Sequence, residues 1–162
     1  MEQRRFSTVV PGILLAGLCL LFSAAVAQPQ NSVPWRLDDQ GNLTIHTSNI
    51  TAEPVFIPLQ SKGTRMELLA LRAKDGTVRV AFNTCQACSG SPRAWFGVEK
   101  GGVVCQNCGN FFPAEQVGAS GHGCNPLTVP GVQPTATGDI TIPAAVLAAH
   151  ASAFRNWKRE MP

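Results

Sequence analysis

Four of the six cysteines in the chain stand in two pairs that have the same spacing. Cys85 and Cys88 form the first pair, and Cys105 and Cys108 form the second after the sixteen residues 89–104. The spacing of this C-x2-C…C-x2-C pattern lies within the range of tetrathiolate metal sites. Two tight turns joined by a hairpin can surround one centre with four sulfurs, at about 2.3 Å if the ion is zinc. The pattern therefore predicts a metal or iron–sulfur centre held by these four thiolates.

Two alternatives for the paired cysteines remain open, structural disulfides and a catalytic dithiol. A thioredoxin-like dithiol needs the first pair at the start of a helix, and Ser89-Gly90-Ser91-Pro92 does not favour one. Covalent haem attachment of the c type needs a histidine directly after the second cysteine of a pair. Ser89 and Gly109 occupy those two positions, which excludes that chemistry.

A fifth cysteine, Cys124, stands apart from the two pairs between Gly123 and Asn125. It could complete a cluster, replace one of the four ligands, or bind a second metal together with His122. The alternative is a turn with a buried free thiol. Neighbouring glycine would let the backbone approach a cofactor closely. His46 and His150 are predicted to have structural or solvent-facing roles.

The N-terminal 27 residues have the pattern of an export signal or a membrane anchor. Arg4 and Arg5 precede the uncharged run 9–27, which contains Cys19 and ends in Ala25-Val26-Ala27. A basic start, an apolar run and an A-x-A site predict a secretory signal peptide cleaved after Ala27. The run is also long enough to remain as one transmembrane helix. The paired arginines could instead belong to a twin-arginine signal, and each option places the domain outside the cytoplasm, in the periplasm.

The elements that must position the cysteines are predicted to be short strands. Leu43 and Ile45 indicate one strand. The apolar stretch 55–59 indicates another, and Pro58 within it restricts that strand to the edge of a sheet. A hairpin is predicted from Met66 to Phe82, because segments in which apolar residues alternate with other residues lie on both sides of an Asp-Gly turn. A second hairpin is predicted between the two cysteine pairs, across residues 99–102.

The C-terminal part is predicted to contain a small strand at Ile140–Ile142 and then a helix. Pro143 suits the first helical position, and the helix is expected to reach about Lys158. One face carries apolar residues at helical spacing, namely Val146, Leu147, His150, Phe154 and Trp157. The predicted fold class is therefore mainly β with a C-terminal helix, with small antiparallel hairpins around a zinc-ribbon-like double cysteine knuckle.

Composition limits the function classes. The 162 residues contain 13 Lys+Arg and 10 Asp+Glu, a net charge of +3, with no basic cluster away from the termini. This excludes a basic nucleic-acid-binding module. The sequence shows no acid/base pair, nucleophile triad or phosphate loop, and no site for a small-molecule substrate is evident. We therefore expect at most a redox or electron-transfer protein rather than an enzyme by itself.

Three cysteine blocks in order resemble the FtrD-like family of membrane-associated proteins, which are described as iron–sulfur containing and occur beside bacterial iron-uptake systems. The resemblance covers about residues 53–158 and is carried by 79–88 (RVAFNTCQAC), 105–113 (CQNCGNFFP) and 123–126 (GCNP). It implies that Cys85, Cys88, Cys105, Cys108 and also Cys124 are cofactor ligands. The sequence departs from the family pattern at Ser89, after the first pair, and at His122.

The resemblance implies an exported, membrane-associated protein that assists iron uptake by electron transfer or metal handling. The cofactor would be an iron–sulfur cluster or iron, with zinc as the alternative, and the partner a membrane iron permease or a redox protein of that system. The other hypotheses are a structural zinc-ribbon interaction module and an exported dithiol redox protein. The expected organisation is a signal or anchor at 1–27, a linker and first strand at 28–52, and the metal- or iron–sulfur-binding domain at 53–160.

Overall fold

Short antiparallel strands make up most of residues 34–119 and 123–160, which are the residues that the computed structural model describes. The predicted signal or anchor at 1–27, the linker up to residue 33, and His122 lie outside these ranges. No helix within the ranges is long and apolar enough to cross a membrane. The strands are β1 (Trp35–Leu37), β2 (Leu43–His46), β3 (Val55–Ser61), β4 (Thr64–Arg72), β5 (Val78–Cys85), β6 (Phe96–Glu99), β7 (Gly102–Cys105), β8 (Phe111–Pro113), β9 (Pro126–Thr128) and β10 (Asp139–Ile142).

The strands form three antiparallel sheets. The largest has the order β3-β4-β5-β9, and the two smaller ones have the orders β1-β2-β10 and β6-β7-β8. Pro58 lies on β3, at the edge of the largest sheet, which confirms the position predicted for it. Proline is tolerated there because an edge strand leaves N–H positions that need no partner.

The predicted hairpin from Met66 to Phe82 is confirmed as the pairing of β4 with β5. Gly76 adopts a φ of 82°, a conformation that glycine reaches without steric cost. The Asp75 carboxylate closes the turn by accepting hydrogen bonds from the Thr77 N–H, at 2.9 Å, and from Arg79 Nη2, at 2.6 Å. The turn residues therefore fix the register of the two strands that carry most of the core.

The β4–β5 hairpin is buried on both faces, so each face supports a separate hydrophobic cluster. On one face Leu68, opposite Phe82, packs with residues of β2 and β10 and of the C-terminal helix. On the other face Leu69, opposite Ala81, packs with Phe96 and Val103 of the β6-β7-β8 sheet. Cys85 and Cys105 belong to this second cluster, which places the thiols at the edge of an apolar core.

The C-terminal helix is shorter than the sequence predicts. The α-helix α1 spans Ala144–His150, and Pro143 is the N-cap residue of this helix. A 3₁₀ turn, Ala151–Phe154, follows it. The expectation that it reaches Lys158 is wrong. The N–H groups of Arg155 and Trp157 donate three residues back in tighter turns, and residues 157 and 158 also bond to distant parts of the chain. The Lys158 N–H donates to the Pro92 carbonyl at 3.0 Å, and Trp157 Nε1 donates to the Asn83 carbonyl at 2.9 Å.

Close backbone contact in the β6-β7-β8 sheet requires glycine at position 102. A Cβ atom added to Gly102 would lie 2.0 Å from the Phe112 carbonyl oxygen on the neighbouring strand. That distance is far inside van der Waals contact, and a backbone atom cannot give way as a side chain can. The sheet that presents the second cysteine pair therefore depends on a residue without a side chain.

Replacing Gly102 with alanine tests this contact. We expect Gly102→Ala to lower the free energy of unfolding by about 2 kcal/mol or more, because it forces β7 and β8 apart. Urea denaturation followed by circular dichroism measures the loss. Gly97→Ala is the matched control in the same hairpin, since its Cβ would meet only side-chain atoms, the nearest being Nε2 of the flexible Gln106 side chain at 2.9 Å. Equal losses for the two variants would contradict the assignment.

Candidate metal centre

The five cysteines of the described chain arrive from three separate places in the fold. Cys85 is the last residue of β5 and Cys105 is the last residue of β7, so each pair begins where a strand ends. Cys88 and Cys108 lie in the turns that follow those strands. Cys124 lies two residues before β9. Pro126 of β9 is paired opposite Cys85, so the pairing of β9 with β5 places Cys124 beside the first cysteine pair.

Four of the five sulfurs form one compact group. Those of Cys85, Cys88, Cys105 and Cys124 all lie within 4.8 Å of one another. Cys85 Sγ is 3.1 Å from Cys124 Sγ, and Cys88 Sγ is 4.0 Å from it. We call these four residues the thiol group. The exposed Cys108, a predicted metal ligand, is not a member, but its thiol interacts with those of Cys124, Cys105 and Cys88. The roles of all five as ligands remain predictions.

Backbone hydrogen bonds hold both turns in place. The Cys88 N–H points at Cys85 Sγ, 3.4 Å away, and the N–H groups of Asn107 and Cys108 point at the Cys105 sulfur. The Gly109 N–H closes the second turn on the Cys105 carbonyl at 2.8 Å, with a φ of 75° that glycine permits. One N–H group thus points at the Cys85 sulfur and two point at the Cys105 sulfur. These hydrogen bonds favour the thiolate and oppose the larger effect of burial.

The pKa values of the buried thiols and of the exposed Cys108 thiol are shifted in opposite directions. Burial raises the pKa of Cys85 to about 12, and burial also raises the pKa values of Cys105 and Cys124. A hydrogen bond from the Cys124 thiol lowers the pKa of the exposed Cys108 to about 7. The buried sulfurs therefore favour the protonated form unless a cation replaces their protons. Binding a metal here would release protons, and soft thiolates suit iron, zinc or copper(I).

A buried polar network lies on the same face of β4 and β5 as Cys85. Glu67 is 0% exposed, and its Oε2 accepts hydrogen bonds from Asn83 Nδ2, at 2.5 Å, and from Arg159. Asn83 Oδ1 in turn accepts the N–H of Phe96 at 2.8 Å. Because Asn83 precedes Cys85 by two residues and Phe96 begins β6, the network ties the first cysteine pair to the sheet that carries the second.

Arg159 supplies the charge that this network needs. Burial raises the pKa of Glu67, whereas the Asn83 hydrogen bond and the Arg159 charge oppose that rise. The Arg159 guanidinium lies 3.8 Å above the centre of the Phe56 ring and 5.3 Å from that of Trp95. The sequence analysis did not identify this network. The available signal was Glu67 itself, a carboxylate that interrupts the apolar run 66–71 between Met66 and Leu68.

The two described histidines contact other parts of the fold. His150 Nδ1 lies 2.8 Å from the Val146 carbonyl oxygen, and its ring stacks on Phe82 at 4.9 Å between centroids. His46 Nδ1 lies 3.0 Å from Asp139 Oδ2, on the strand paired with β2. Neither histidine is part of the thiol group, so its donor set within the described residues consists of sulfur.

Comparison with known proteins gives one finding. The family model described as "Membrane iron-sulfur containing protein FtrD-like" matches residues 39–154. This range is most of the chain and includes the five cysteines just described. No curated protein and no solved structure gives a significant match.

Removing Arg159 tests the buried network. We expect Arg159→Ala to lower the free energy of unfolding by about 3 kcal/mol, because it leaves the Glu67 carboxylate buried without its cation. Chemical denaturation measures the change. Arg155→Ala is the matched control, since Arg155 is exposed and forms no ion pair with residues 34–119 or 123–160; its effect should stay within about 0.5 kcal/mol. A loss at Arg159 as small as that of the control would contradict the role of the pair.

Proposed function

The chain belongs to the FtrD-like family, and on that premise we propose that it is an exported, membrane-associated metal- or iron–sulfur-binding protein that assists iron uptake by electron transfer or metal handling. The family description supports an iron–sulfur protein of the membrane. The observation that carries the proposal is the thiol group, four sulfurs within 4.8 Å of one another that could hold a metal.

The donor set fits iron chemically. Thiolates are soft ligands that bind iron, either alone or in iron–sulfur clusters, and the ligands proposed are Cys85, Cys88, Cys105 and Cys108, with Cys124 as a further one. A bound iron centre supplies one-electron redox chemistry, at a potential set by hydrogen bonds to sulfur and by solvent exposure. The N–H groups that point at the Cys85 and Cys105 sulfurs would provide part of that tuning.

The position of the thiol group suits exchange with a partner. Cys85 and Cys105 are buried, Cys88 and Cys124 are half-buried, and Cys108 is exposed. The centre thus has an apolar inner side and an open outer side, through which an electron or an ion could pass. The partner that we propose is a membrane iron permease or a redox protein of the same uptake system. The basic start and uncharged run at 9–27 support export to the periplasm, with that run either cleaved or kept as an anchor.

A structural zinc-ribbon module is the second candidate. The observation that favours it is that Cys85 and Cys105 are themselves members of a buried hydrophobic cluster. A zinc ion bound there would contribute mainly folding free energy, on the order of 10 kcal/mol. In that case the surface around the centre would serve to bind another protein.

Elemental analysis separates these functions. We expect the full chain, purified from its own compartment without oxygen, to contain iron and to absorb visible light. Cys85→Ser should abolish both, because a core thiolate is lost. Cys19→Ser is the matched control, since that cysteine lies in the N-terminal apolar run; it should leave iron content unchanged.

Two other results would overturn the proposal. A colourless protein with one zinc per chain would assign the zinc-ribbon module. A metal-free protein with a reversible dithiol–disulfide couple, detected by thiol titration, would assign a dithiol redox protein.

A further inference from the structure

The sulfurs of the thiol group lie closer together than the cysteine sulfurs that hold a cluster of several irons. Four thiolates arranged tetrahedrally around one ion, with bonds of about 2.3 Å, have their sulfurs about 3.8 Å apart. The distances from Cys124 Sγ, 3.1 Å to Cys85 Sγ and 4.0 Å to Cys88 Sγ, lie on either side of that value. All the separations within the group are 4.8 Å or less. The group therefore has the dimensions of a cage for a single ion.

An iron–sulfur cluster places its cysteine ligands differently. In a four-iron cluster each thiolate ends on its own iron, and in a two-iron cluster two thiolates end on each iron, with the irons and bridging sulfides between the two sets. Two sulfurs bound to one ion are at most two bond lengths apart, about 4.6 Å. The 4.8 Å bound on the group lies close to this limit, whereas sulfurs on different irons are farther apart. Four sulfurs gathered this closely leave no space among them for a core of irons and sulfides.

Backbone hydrogen bonds fix the distance between the two cysteine pairs. The Cys85 N–H donates to the Ala94 carbonyl at 3.0 Å, and the Gln106 N–H donates to the Trp95 carbonyl at 2.8 Å. Both turns are thus attached to consecutive residues of one short segment. Cys85 and Cys105 are also 0% and 1% exposed, within a packed cluster. Opening the cage for a larger cofactor would break these hydrogen bonds and disturb the core.

Of the five cysteines proposed above as ligands, the compact group contains Cys124 and not Cys108, so the geometry points to Cys124 for the fourth ligand position. Its loop is attached to the first turn, because the Gln86 N–H donates to the Asn125 carbonyl at 2.9 Å. Cys108 is exposed and is not one of the four sulfurs that lie within 4.8 Å of one another, although its thiol interacts with those of Cys124, Cys105 and Cys88. Resting on the proposed function, we propose that the centre is mononuclear. Cys85, Cys88, Cys105 and Cys124 hold one tetrahedral ion, which the proposed function makes iron, and Cys108 remains an exposed thiol beside it.

Cobalt titration of the reduced full chain, without oxygen, tests the ligand set. We expect one Co²⁺ per chain with the strong charge-transfer absorption of a four-thiolate tetrahedral site. Cys108→Ser separates this ligand set from one that includes Cys108: it should still bind one Co²⁺ and keep the four-thiolate spectrum, because the four remaining cysteines supply that shell. Cys124→Ser should weaken cobalt binding by at least about 100-fold, beyond the effect of substitutions outside the ligand shell.

A second variant guards against misfolding. Cys124→His keeps a ligand at that position, so it should still bind one Co²⁺ and show the spectrum of three thiolates and one imidazole. Circular dichroism confirms that each variant is folded. Loss of cobalt in Cys108→Ser, with retention of a four-thiolate spectrum in Cys124→Ser, would overturn the proposed ligand set.

Iron loading tests the number of ions. The anaerobic protein incubated with Fe²⁺ and sulfide should hold one iron per chain and no acid-labile sulfide. Two or four irons with matching sulfide would overturn the mononuclear site while leaving the proposed role in iron uptake intact. A full chain that binds neither Co²⁺ nor Fe²⁺ would overturn both, so the two failures are distinguishable.

Discussion

The attachment of both cysteine turns to one two-residue segment is the constraint on which the rest of the site depends. Ala94 and Trp95 accept hydrogen bonds from Cys85 and Gln106, which belong to different turns. Neither turn alone could fix the distance between the pairs, since they follow different strands of different sheets. The shared segment converts two local motifs into one arrangement, and the pairing of β9 with β5 adds the fifth cysteine to it.

The second constraint is electrostatic, because the same face of the central hairpin buries thiols and a carboxylate side by side. Glu67 is neutralised from within by Arg159, a residue 92 positions away in sequence. The thiol group has no such cation among the described side chains that form it, and burial favours its protonated form. A metal ion would supply the missing positive charge, which is a physical reason to expect one at this place.

Local patterns in the sequence were sufficient for much of the fold and for part of the site. The Asp75-Gly76 turn and the alternating residues around it define the β4–β5 hairpin, and the second hairpin lies between the cysteine pairs as expected. Other features depend on distant residues. The sequence analysis named Cys124 as a candidate ligand, but its approach to Cys85 depends on the pairing of β9. The bond from Lys158 to Pro92 and the contact of Arg159 with Glu67 were not predicted. Spacing along the chain carries no information about such contacts.

The late position of β9 in the chain has a consequence for how the protein matures. The hairpins that carry Cys85, Cys88 and Cys105 join neighbouring segments, which close quickly, whereas β9 must return across about forty residues to reach β5. A nascent chain therefore offers an incomplete set of sulfurs until this last strand docks. Loading of the centre would then report completed folding, and a chain secreted in unfolded form would acquire its ion only after crossing the membrane.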